Sequence, residues 1–483
     1  LDWLVIGVFF LALIGIIVWV VRQKQNDSAD YFLGGRDATW LAIGASIFAS
    51  NIGSEHLIGL AGAGASSGMA MAHWEIQGWM ILILGWVFVP FYSRSMVYTM
   101  PEFLERRYNP QSRTILSVIS LVSYVLTKVA VTVYAGGLVF QQVFGIKELW
   151  GIDFFWIAAI GLVVLTALYT IFGGMKSVLY TSVLQTPILL LGSLIILVLG
   201  FKELGGWDEM MRVCGAVTVN DYGDTMTNLI RSNDDANFPW LGALIGSAII
   251  GFWYWCTDQF IVQRVLSGKN EKEARRGTIF GAYLKLLPVF LFLIPGMIAF
   301  ALHQKYIGAG GEGFLPMLAN GTANADAAFP TLVAKLLPAG VKGLVVCGIL
   351  AALMSSLASL FNSSAMLFTI DFYKRFRPET PEKKLVGIGQ IATVVIVILG
   401  ILWIPIMRSV GDVLYTYLQD VQSVLAPGIA AAFLLGICWK RTSAQGGMWG
   451  LIAGMVIGLT RLGAKVYYSN AGEVADSTFK YLF

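Results

Sequence analysis

Long apolar segments follow one another along almost the whole chain, with short polar connections between them. About 20 mostly apolar residues are enough for a helix to cross the hydrocarbon core of a bilayer. This pattern predicts an all-α polytopic membrane protein, a single transmembrane domain over residues 1–483. The twelve predicted membrane-spanning helices are 2–22, 38–63, 68–92, 115–145, 152–172, 178–201, 239–263, 277–303, 341–370, 385–407, 411–438 and 446–467.

Basic residues are unevenly divided between the two sets of connections. The set that contains Arg22, Arg94 and Lys269 carries nearly twice as many Lys and Arg residues as the other set. Cytoplasmic loops are enriched in Lys and Arg, so the chain is predicted to start outside the cell. The acidic loop 202–238 is then extracellular. The first apolar run has no basic segment before it, and we interpret it as a span instead of a signal peptide.

Composition supports a membrane protein and excludes several other classes. Hydrophobic residues make up 57% of the chain and charged residues 13%, against about 25% charged in soluble domains. A net charge of +4 gives no reason to expect a nucleic-acid partner. The four cysteines lack metal or disulfide spacing. With three histidines and no His-Glu-x-x-His motif, an enzyme is not expected.

A few ionisable residues fall inside the predicted spans, where charge is costly and usually functional. They are His56, Glu75, Lys128, Asp258 and Lys285. Glu75 and Lys285 have opposite charges and would line one cavity for a neutral, hydroxyl-rich solute, or form a purely structural ion pair. No role for Lys128 follows from the sequence; it would snorkel or pair internally.

Two spans are interrupted at corresponding places. Small and polar residues at 49–54 break the second span, and aromatic and polar residues at 251–259 break the seventh, five spans later. Unwound backbone at membrane depth is tolerated only beside a cavity or an ion. Paired interruptions in two five-span halves indicate a transporter built from inverted repeats. Ordinary Gly/Ser helix packing is the alternative.

The ninth span contains the adjacent hydroxyls of Ser355 and Ser356. Serines in helices often bond their own carbonyls, which is the plainer interpretation. Sodium, however, is a hard cation that prefers oxygen ligands. Two hydroxyls together with carbonyls from an unwound helix would make a neutral, weakly binding site, which suits an ion that must also leave.

Several short stretches together resemble the sodium/solute symporter family, and within it the sodium/glucose cotransporters. They are Asp-Tyr-Phe-Leu-Gly-Gly-Arg at 30–36, Gly-Ala-Ser-Ile-Phe-Ala-Ser-Asn-Ile-Gly-Ser at 44–54, Gly-Gly-Met at 173–175, Tyr-Trp-Cys-Thr-Asp-Gln at 254–259, Val-Gln-Arg at 262–264, Leu-Met-Ser-Ser-Leu at 353–357 and Phe-Asn-Ser at 361–363. The resemblance extends over nearly the whole chain.

The resemblance implies a LeuT-like core of ten helices in two inverted five-helix repeats, within residues 38–438. The first repeat would be 38–201 and the second 239–438, joined by the extracellular loop 202–238. A peripheral helix at 2–22 would precede the core, and an additional helix at 446–467 would follow it.

The resemblance also implies a set of site residues. Sodium would bind the carbonyls of Ala49, Ile52 and Ala352 and the hydroxyls of Ser355 and Ser356. The substrate would bind Asn51, His56, Glu75, Lys285, Gln419, Tyr254 and Trp255. The gates would be formed by Leu60, Trp74 and Tyr415 on the outer side and Tyr254 on the inner side.

The chain departs from the family pattern at three places. Ser182 stands where sugar cotransporters often have an aspartate linked with a second sodium, and Ala358-Ser359 stands where two-sodium members have Thr-Ser. Both changes remove oxygen ligands, so we expect one sodium per transport cycle. Gly251 replaces a polar residue that some relatives use on the sugar, which leaves the hexose preference open.

The expected function is sodium-coupled import of a hexose such as glucose or galactose by alternating access. The alternatives are another polyol or small organic solute, such as inositol or sialic acid, and a sodium- or solute-gated channel or sensor. The expected partners are sodium, the sugar and the lipid bilayer. The expected location is a plasma membrane, and the short chain suggests a bacterial inner membrane.

Overall fold

A computed structural model describes residues 1–23, 27–53, 55–235, 237–318, 321–410 and 414–470, without the side chains of 126, 142, 406–410, 414–420, 465, 466 and 468–470. Helices form most of the described chain. The first half contains helices α1 (Asp2–Val21), α2 (Ser28–Leu33), α3 (Trp40–Asn51), α4 (Ala61–Ser67), α5 (Ala72–Ile76), α6 (Met80–Ile83), α7 (Val89–Ser95), α8 (Met100–Arg107), α9 (Pro110–Ser123), α10 (Ala130–Phe144), α11 (Phe154–Leu204) and α12 (Trp207–Gly215).

The second half continues in the same way, and the described residues contain one short hairpin. Its strands are β1 (Glu148–Leu149) and β2 (Ile152–Asp153), which pair antiparallel. The remaining helices are α13 (Trp240–Gly251), α14 (Gln259–Leu266), α15 (Glu271–Leu284), α16 (Ile294–Gly308), α17 (Ala328–Leu336), α18 (Val341–Met366), α19 (Lys374–Phe376), α20 (Glu382–Val410), α21 (Leu414–Cys438) and α22 (Ala444–Asn470).

Wide π-helical turns and short 3₁₀ turns interrupt or join these helices. Such turns inside helices often occur at functional sites. The 3₁₀ turns are Gly34–Arg36, Gly68–Met71, Gln77–Trp79 and Ala325–Ala327. The wide turns are Glu55–Leu60, Leu84–Phe88, Tyr124–Val129, Phe252–Thr257, Val289–Leu293 and Leu367–Tyr373.

Polar residues in the connections start several helices. The side chains of Thr99, Asn109 and Asn270 accept hydrogen bonds from the first turns of α8, α9 and α15. Each bond satisfies a backbone N–H that has no partner within its helix. Across the fold, Asp2 accepts from the N–H groups of Gly340 and Gly343, which fixes the start of α18 against α1.

Ten helical stretches among the described residues are long and apolar enough to cross a membrane. They are Asp2–Val21, Glu55–Ser95, Pro110–Gln141, Phe154–Leu204, Trp240–Thr257, Glu271–Gly308, Val341–Phe376, Glu382–Pro405, Val421–Cys438 and Ala444–Ala464. The expectation of a polytopic all-α membrane protein is confirmed. The predicted span 38–63 is not one continuous helix, because α3 ends at Asn51. The count of twelve spans and the residue bounds of the two repeats stay predictions.

Helix α11 is the longest, and a glycine divides it. Its 51 residues would extend about 77 Å, more than twice the thickness of a bilayer core. Gly174 has φ 53 and ψ −147, and a Cβ there would lie 2.4 Å from the carbonyl of Tyr31. The Gly-Gly-Met stretch is therefore a kink between two arms, which agrees with separate predicted spans at 152–172 and 178–201.

Both arms of α11 pack against α18, the helix that carries the serine pair. Tyr169 on the first arm donates to the carbonyl of Met354 at 2.9 Å, and Ser182 on the second arm contacts the hydroxyl of Ser355 at 3.2 Å. Helix α3 packs between α11, α15 and α18. This places the break at the end of α3 in the centre of the molecule.

Candidate functional site

The two interrupted helices meet in the structure. After Asn51, Ile52 has an extended conformation with ψ 104, and the chain continues through Gly53 to the wide turn Glu55–Leu60. The other break is the wide turn Phe252–Thr257, which ends α13 and is followed by α14. The amide of Asn51 donates to the Tyr254 hydroxyl at 2.9 Å, so a direct hydrogen bond joins the two breaks.

The first break faces the serine pair on α18. The hydroxyl of Ser356 donates to the carbonyl of Ser50 at 2.7 Å and lies 3.4 Å from the carbonyl of Ile52. Two predicted sodium ligands, Ile52 and Ser356, are therefore adjacent although 304 residues separate them. The oxygens involved are uncharged carbonyls and hydroxyls, which suit a hard monovalent cation.

The other three predicted sodium ligands lie on the same two helices. Ala49 is one turn before Ile52, and Ala352 is one turn before Ser355 and Ser356; both alanines are fully buried. Residues one turn apart share a helix face. Ser355 contacts the hydroxyl of Ser182.

Three ionisable side chains form a compact cluster beside this region. Glu75 Oε2 lies 2.7 Å from Lys285 Nζ, and Glu75 Oε1 lies 3.1 Å from His56 Nε2. His56 Nε2 is in turn 2.6 Å from Lys285 Nζ. All three side chains are buried, and they come from segments that are distant in sequence. The carboxylate is thereby shared between two nitrogen groups, as a buried charge requires.

This cluster lines a cavity between the two breaks. The cavity volume is about 30 Å³, room for one or two water molecules. The cavity must therefore widen before it can hold a larger solute. The lining residues are Asn51, Glu55, His56, Trp74, Glu75, Gln77, Ile250, Tyr254, Trp255, Lys285 and Gln422.

Two of the predicted gate residues, Trp74 and Tyr254, line the same cavity. Trp74 lines it directly, and Leu60 is buried at the end of the wide turn that carries His56. Tyr254 and Trp255 meet edge to face, with ring centroids 4.9 Å apart. The side chains of Gln419 and Tyr415, predicted for substrate and outer gate, lie outside the described residues.

Lys128, for which the sequence predicted no role, forms a buried ion pair with Asp258. Its Nζ lies 2.7 Å from Asp258 Oδ2 and 4.5 Å from the centre of the Tyr254 ring. Asp258 also accepts from the Tyr124 hydroxyl and from the Phe260 N–H at the start of α14. The pair therefore holds the second break, and Tyr254 with it, against the wide turn that carries Lys128.

A buried arginine lies beside Ser182, where the resemblance to the family led us to expect no second sodium site. Arg264 Nε donates to Ser46 at 3.2 Å and Ser50 at 3.0 Å, and Ser46 lies 3.4 Å from Ser182. The two terminal nitrogens of Arg264 are buried without a hydrogen-bond partner among the described residues. A permanent guanidinium charge here repels a second cation.

Three polar residues that line the cavity were missed from the sequence. Glu55 is a carboxylate inside the predicted span 38–63, and the criterion that selected His56 would also have found it. It lines both the cavity around Glu75 and a smaller one that contains Lys128 and Ser356. Gln77 and Gln422 are amides in predicted spans. Their polarity was visible, but which amides face the cavity depends on helix rotation.

Gln77 takes the space left by the missing side chain at Gly251. A Cβ built on Gly251 would lie 2.9 Å from Gln77 Oε1 and 3.2 Å from Gln77 Cβ. That Oε1 is buried and has no hydrogen-bond partner among the described residues. The side-chain amide of Gln77 therefore occupies the place that a polar side chain at position 251 would take. Its Oε1 can accept a hydrogen bond from a hydroxyl group.

Solved structures show the fold class. The chain matches a Na⁺-coupled sialic acid symporter in a substrate-bound outward-open state, with a TM-score of 0.77, 22% identity and coverage of 95% of this chain and 98% of that one. It also matches MhsT in complex with L-phenylalanine, with a TM-score of 0.56, 14% identity and coverage of 87% and 96%. The fold is that of the LeuT-like transporters, as expected.

A polar cavity where two broken helices meet inside a LeuT-like fold defines a secondary transporter, not an enzyme. The sequence profile of the sodium:solute symporter family matches residues 31–454, and the chain belongs to that family. It is therefore an integral membrane transporter, and sodium is its coupling ion.

Characterised relatives align over almost the whole chain. The sodium/myo-inositol cotransporter 2 of Homo sapiens is 38% identical over 475 residues, which cover 95% of this chain and 69% of the relative. The sodium/glucose cotransporter 4 of Mus musculus is 38% identical, with 97% and 69% covered. The sodium/glucose cotransporter 2 of Rattus norvegicus is 38% identical, with 100% and 74% covered.

Proposed function

We propose that the chain imports a hexose of the glucose or galactose type together with one sodium ion. The observation that carries this proposal is the buried cluster of Glu75, Lys285 and His56 in a cavity beside the break at Ile52. The Glu75 carboxylate and the Lys285 ammonium offer strong hydrogen bonds of both kinds, and their opposite charges neutralise each other. Those properties suit a neutral ring with many hydroxyls.

Aromatic rings complete the proposed substrate site. Tyr254, Trp255 and Trp74 line the cavity around the polar cluster. Aromatic faces pack against the C–H faces of a sugar while polar groups at the edge bind its hydroxyls. Asn51 and Gln419 are proposed as further hydroxyl partners, and Tyr415 with Leu60 as part of the outer gate.

Sodium is proposed to bind between Ala49, Ile52, Ala352, Ser355 and Ser356 and to join the first break to α18. A ligand shifts a conformational equilibrium only through its different affinities for the two states. Sodium that binds the outward-open state better would therefore favour the state that accepts the sugar. Because such coupling is reciprocal, the sugar should in turn tighten sodium binding.

The test is uptake of labelled glucose and galactose into proteoliposomes with an imposed sodium gradient. Uptake should require sodium, saturate with solute and stop when potassium replaces sodium. Uptake that proceeds equally in potassium would reject the symporter mechanism for this chain. Flux that does not saturate, or sodium current that needs no solute, would favour a channel.

A cyclic polyol such as myo-inositol is the second candidate. The sodium/myo-inositol cotransporter 2 proteins of Homo sapiens and Mus musculus are 38% and 39% identical to this chain. Inositol presents a similar ring of hydroxyls to the same polar cluster. Competition of labelled glucose uptake by unlabelled galactose, myo-inositol and sialic acid distinguishes the candidates, because the preferred solute competes at the lowest concentration.

The orientation is proposed from the basic loops, which do not bear on the kind of membrane. The N-terminus would lie outside, loop 202–238 would be extracellular, and the membrane would be a bacterial inner membrane. Single cysteines introduced at the exposed positions Asn233 and Lys383 test the orientation. A membrane-impermeant thiol reagent added to intact cells should label the first and not the second.

A further inference from the structure

A long apolar groove lies on the outer surface of the helices and shares no lining residue with the cavity around Glu75. Its walls are α9, the wide turn Leu367–Tyr373 and α20, and we call it the α9–α20 groove. It has a volume of about 630 Å³ and an almost entirely apolar lining. Val122 and Ile391 in its walls are 52% and 65% exposed, so the groove opens sideways toward lipid.

The groove has the length of one bilayer leaflet. Along α20 it extends from Ile388 to Leu399, which is about 16 Å at 1.5 Å per residue. That is about half of a 30 Å hydrocarbon core. Because α20 begins at Glu382, the groove starts near the membrane surface that carries the basic loop between α18 and α20.

Two cations stand at the surface end of the groove. Lys384 precedes Ile388 by one helical turn, so both share the face of α20 that continues through Ala392. Arg375 Nη1 donates to Thr114 Oγ1 at 2.6 Å, two turns before Leu121 on the opposite wall. Both cations are exposed.

Among the described residues, no carboxylate lies within ion-pair distance of Arg375 or Lys384, in contrast to the neighbouring Lys374. Lys374 pairs with Glu382 at 2.9 Å, and Glu382 also accepts from Ser28, so that acid is already occupied. Glu379 is the other acid of this loop, and it is exposed. The end of the groove therefore carries a net positive charge.

We propose that the α9–α20 groove binds an anionic phospholipid, with one acyl chain along α20 and the phosphate between Arg375 and Lys384. Apolar surface alone does not select a lipid, because lipid tails are as apolar as leucine. Selection comes from the two cations, since basic residues at a membrane surface attract anionic headgroups. The groove fixes the position of the lipid, and the cations fix its headgroup charge.

The headgroup contact is tested by lipid titration of the purified full-length protein, with bound lipid counted by native mass spectrometry. Phosphatidylglycerol should bind more tightly than phosphatidylcholine of the same chain length. Each basic residue contributes about fivefold in affinity, so the double variant Arg375→Gln/Lys384→Gln should bind phosphatidylglycerol about 25-fold more weakly. Lys383→Gln is the matched control, because Lys383 lies one residue away on another face, and it should keep most of the affinity.

The acyl-chain contact is tested separately. Ala392→Trp places a large ring in the groove and should abolish the tight site, whereas Val394→Trp on the lipid-facing side of the same helix should not. Glycerol 3-phosphate and inorganic phosphate should not protect the protein against thermal unfolding as the lipid does. Equal binding of the two lipids, equal protection by phosphate alone, or an unchanged site in Ala392→Trp would each overturn the proposal. A dimer that forms through the groove without bound lipid would overturn it as well.

Discussion

Ser356 connects the two parts of the proposed sodium site, because its hydroxyl reaches the carbonyls at the end of α3 from α18. Ser356→Ala should raise the sodium concentration for half-maximal uptake at least about tenfold, since a lost contact to a charged group is worth about 1.5–3 kcal/mol. Uptake assays over a sodium series measure this change.

Ser364→Ala is the matched control for Ser356→Ala. Ser364 is also buried on α18, but its hydroxyl has no hydrogen-bond partner among the described residues. Its removal should leave the sodium requirement unchanged. An equal rise in both variants would point to a general effect on α18.

Substitutions at Gly251 and Gln77 test whether these residues influence which solute is selected. Gly251→Asn should push Gln77 out of its place, because a side chain there would meet Gln77 Oε1. The ratio of glucose to myo-inositol uptake should then change by up to about tenfold, because a net hydrogen bond is worth about 0.5–1.5 kcal/mol.

Gln77→Leu separates the two effects of that substitution. It removes the acceptor without filling the space at Gly251, so it should weaken every solute that uses this amide. If neither variant alters the ratio of solutes in sodium-driven uptake, Gln77 does not select the solute, and the symporter mechanism is unaffected.

At the scale of elements, Lys128 and Asp258 join the second break to the wide turn Tyr124–Val129. Removing one member of a buried ion pair costs about 3–5 kcal/mol, because the other charge is left unpaired. Lys128→Met should lower thermal stability strongly, and Lys128→Met/Asp258→Asn should recover much of the loss. Thermal unfolding in detergent measures both.

The exposed pair of Arg212 and Glu209 supplies the control for this ion pair. Arg212→Gln should change stability by less than about 1 kcal/mol, as is usual for surface pairs. If the double variant of the buried pair is as unstable as the sum of its single variants, the two residues do not act as a pair.

Asp326, on the short turn Ala325–Ala327, makes a pH-dependent contribution to the stability of the folded state. Burial raises the pKa of its carboxyl group from 3.8 to about 6. The folded state therefore keeps the proton over a range where the unfolded chain loses it. The folded state loses stability as the pH rises from about 4 to 6, and the loss persists above 6.

Asp326→Asn removes this dependence. The substitution should raise the unfolding temperature at pH 8 and change it little at pH 4, where the carboxyl group is protonated in both states. Unfolding temperatures across a pH series measure the effect, with the exposed Asp234→Asn as control. A gain of the same size at both pH values would assign the effect to something other than ionisation.

For the whole molecule, the decisive quantity is the number of sodium ions moved per solute. Ser182 supplies no charge to a second site, and Arg264 places a fixed cation beside it. One sodium that crosses 100 mV supplies about 2.3 kcal/mol, which could concentrate the solute roughly fifty-fold before any concentration gradient.

We therefore expect a ratio of charge to solute close to one, measured from simultaneous current and uptake in reconstituted protein. A ratio near two would contradict the single-sodium mechanism. Ser182→Asp is the informative companion variant. It would restore a carboxylate beside Arg264, and a steeper sodium dependence there would show that the second site is latent.

The membrane class and most residues of the candidate site followed from the sequence, because hydropathy and charge can be read from each segment alone. Hydropathy is a property of each segment alone, so it predicted helices that the structure contains, and it marked His56, Glu75 and Lys285 as charges at membrane depth. The polar breaks near Asn51 and Tyr254 were visible in the same way. The resemblance to a family assigned expected roles to these positions.

Only the tertiary structure decided which distant groups meet. Lys128 pairs with Asp258 across 130 residues of sequence, and Gln77 fills the space at Gly251, because helix rotation and packing bring those side chains together. For the same reason, Arg264 contacts Ser46 and Ser50, and α9 and α20 enclose the α9–α20 groove. The sequence by itself determined where charge and backbone breaks lie along each helix, whereas the packing of the helices decided their partners.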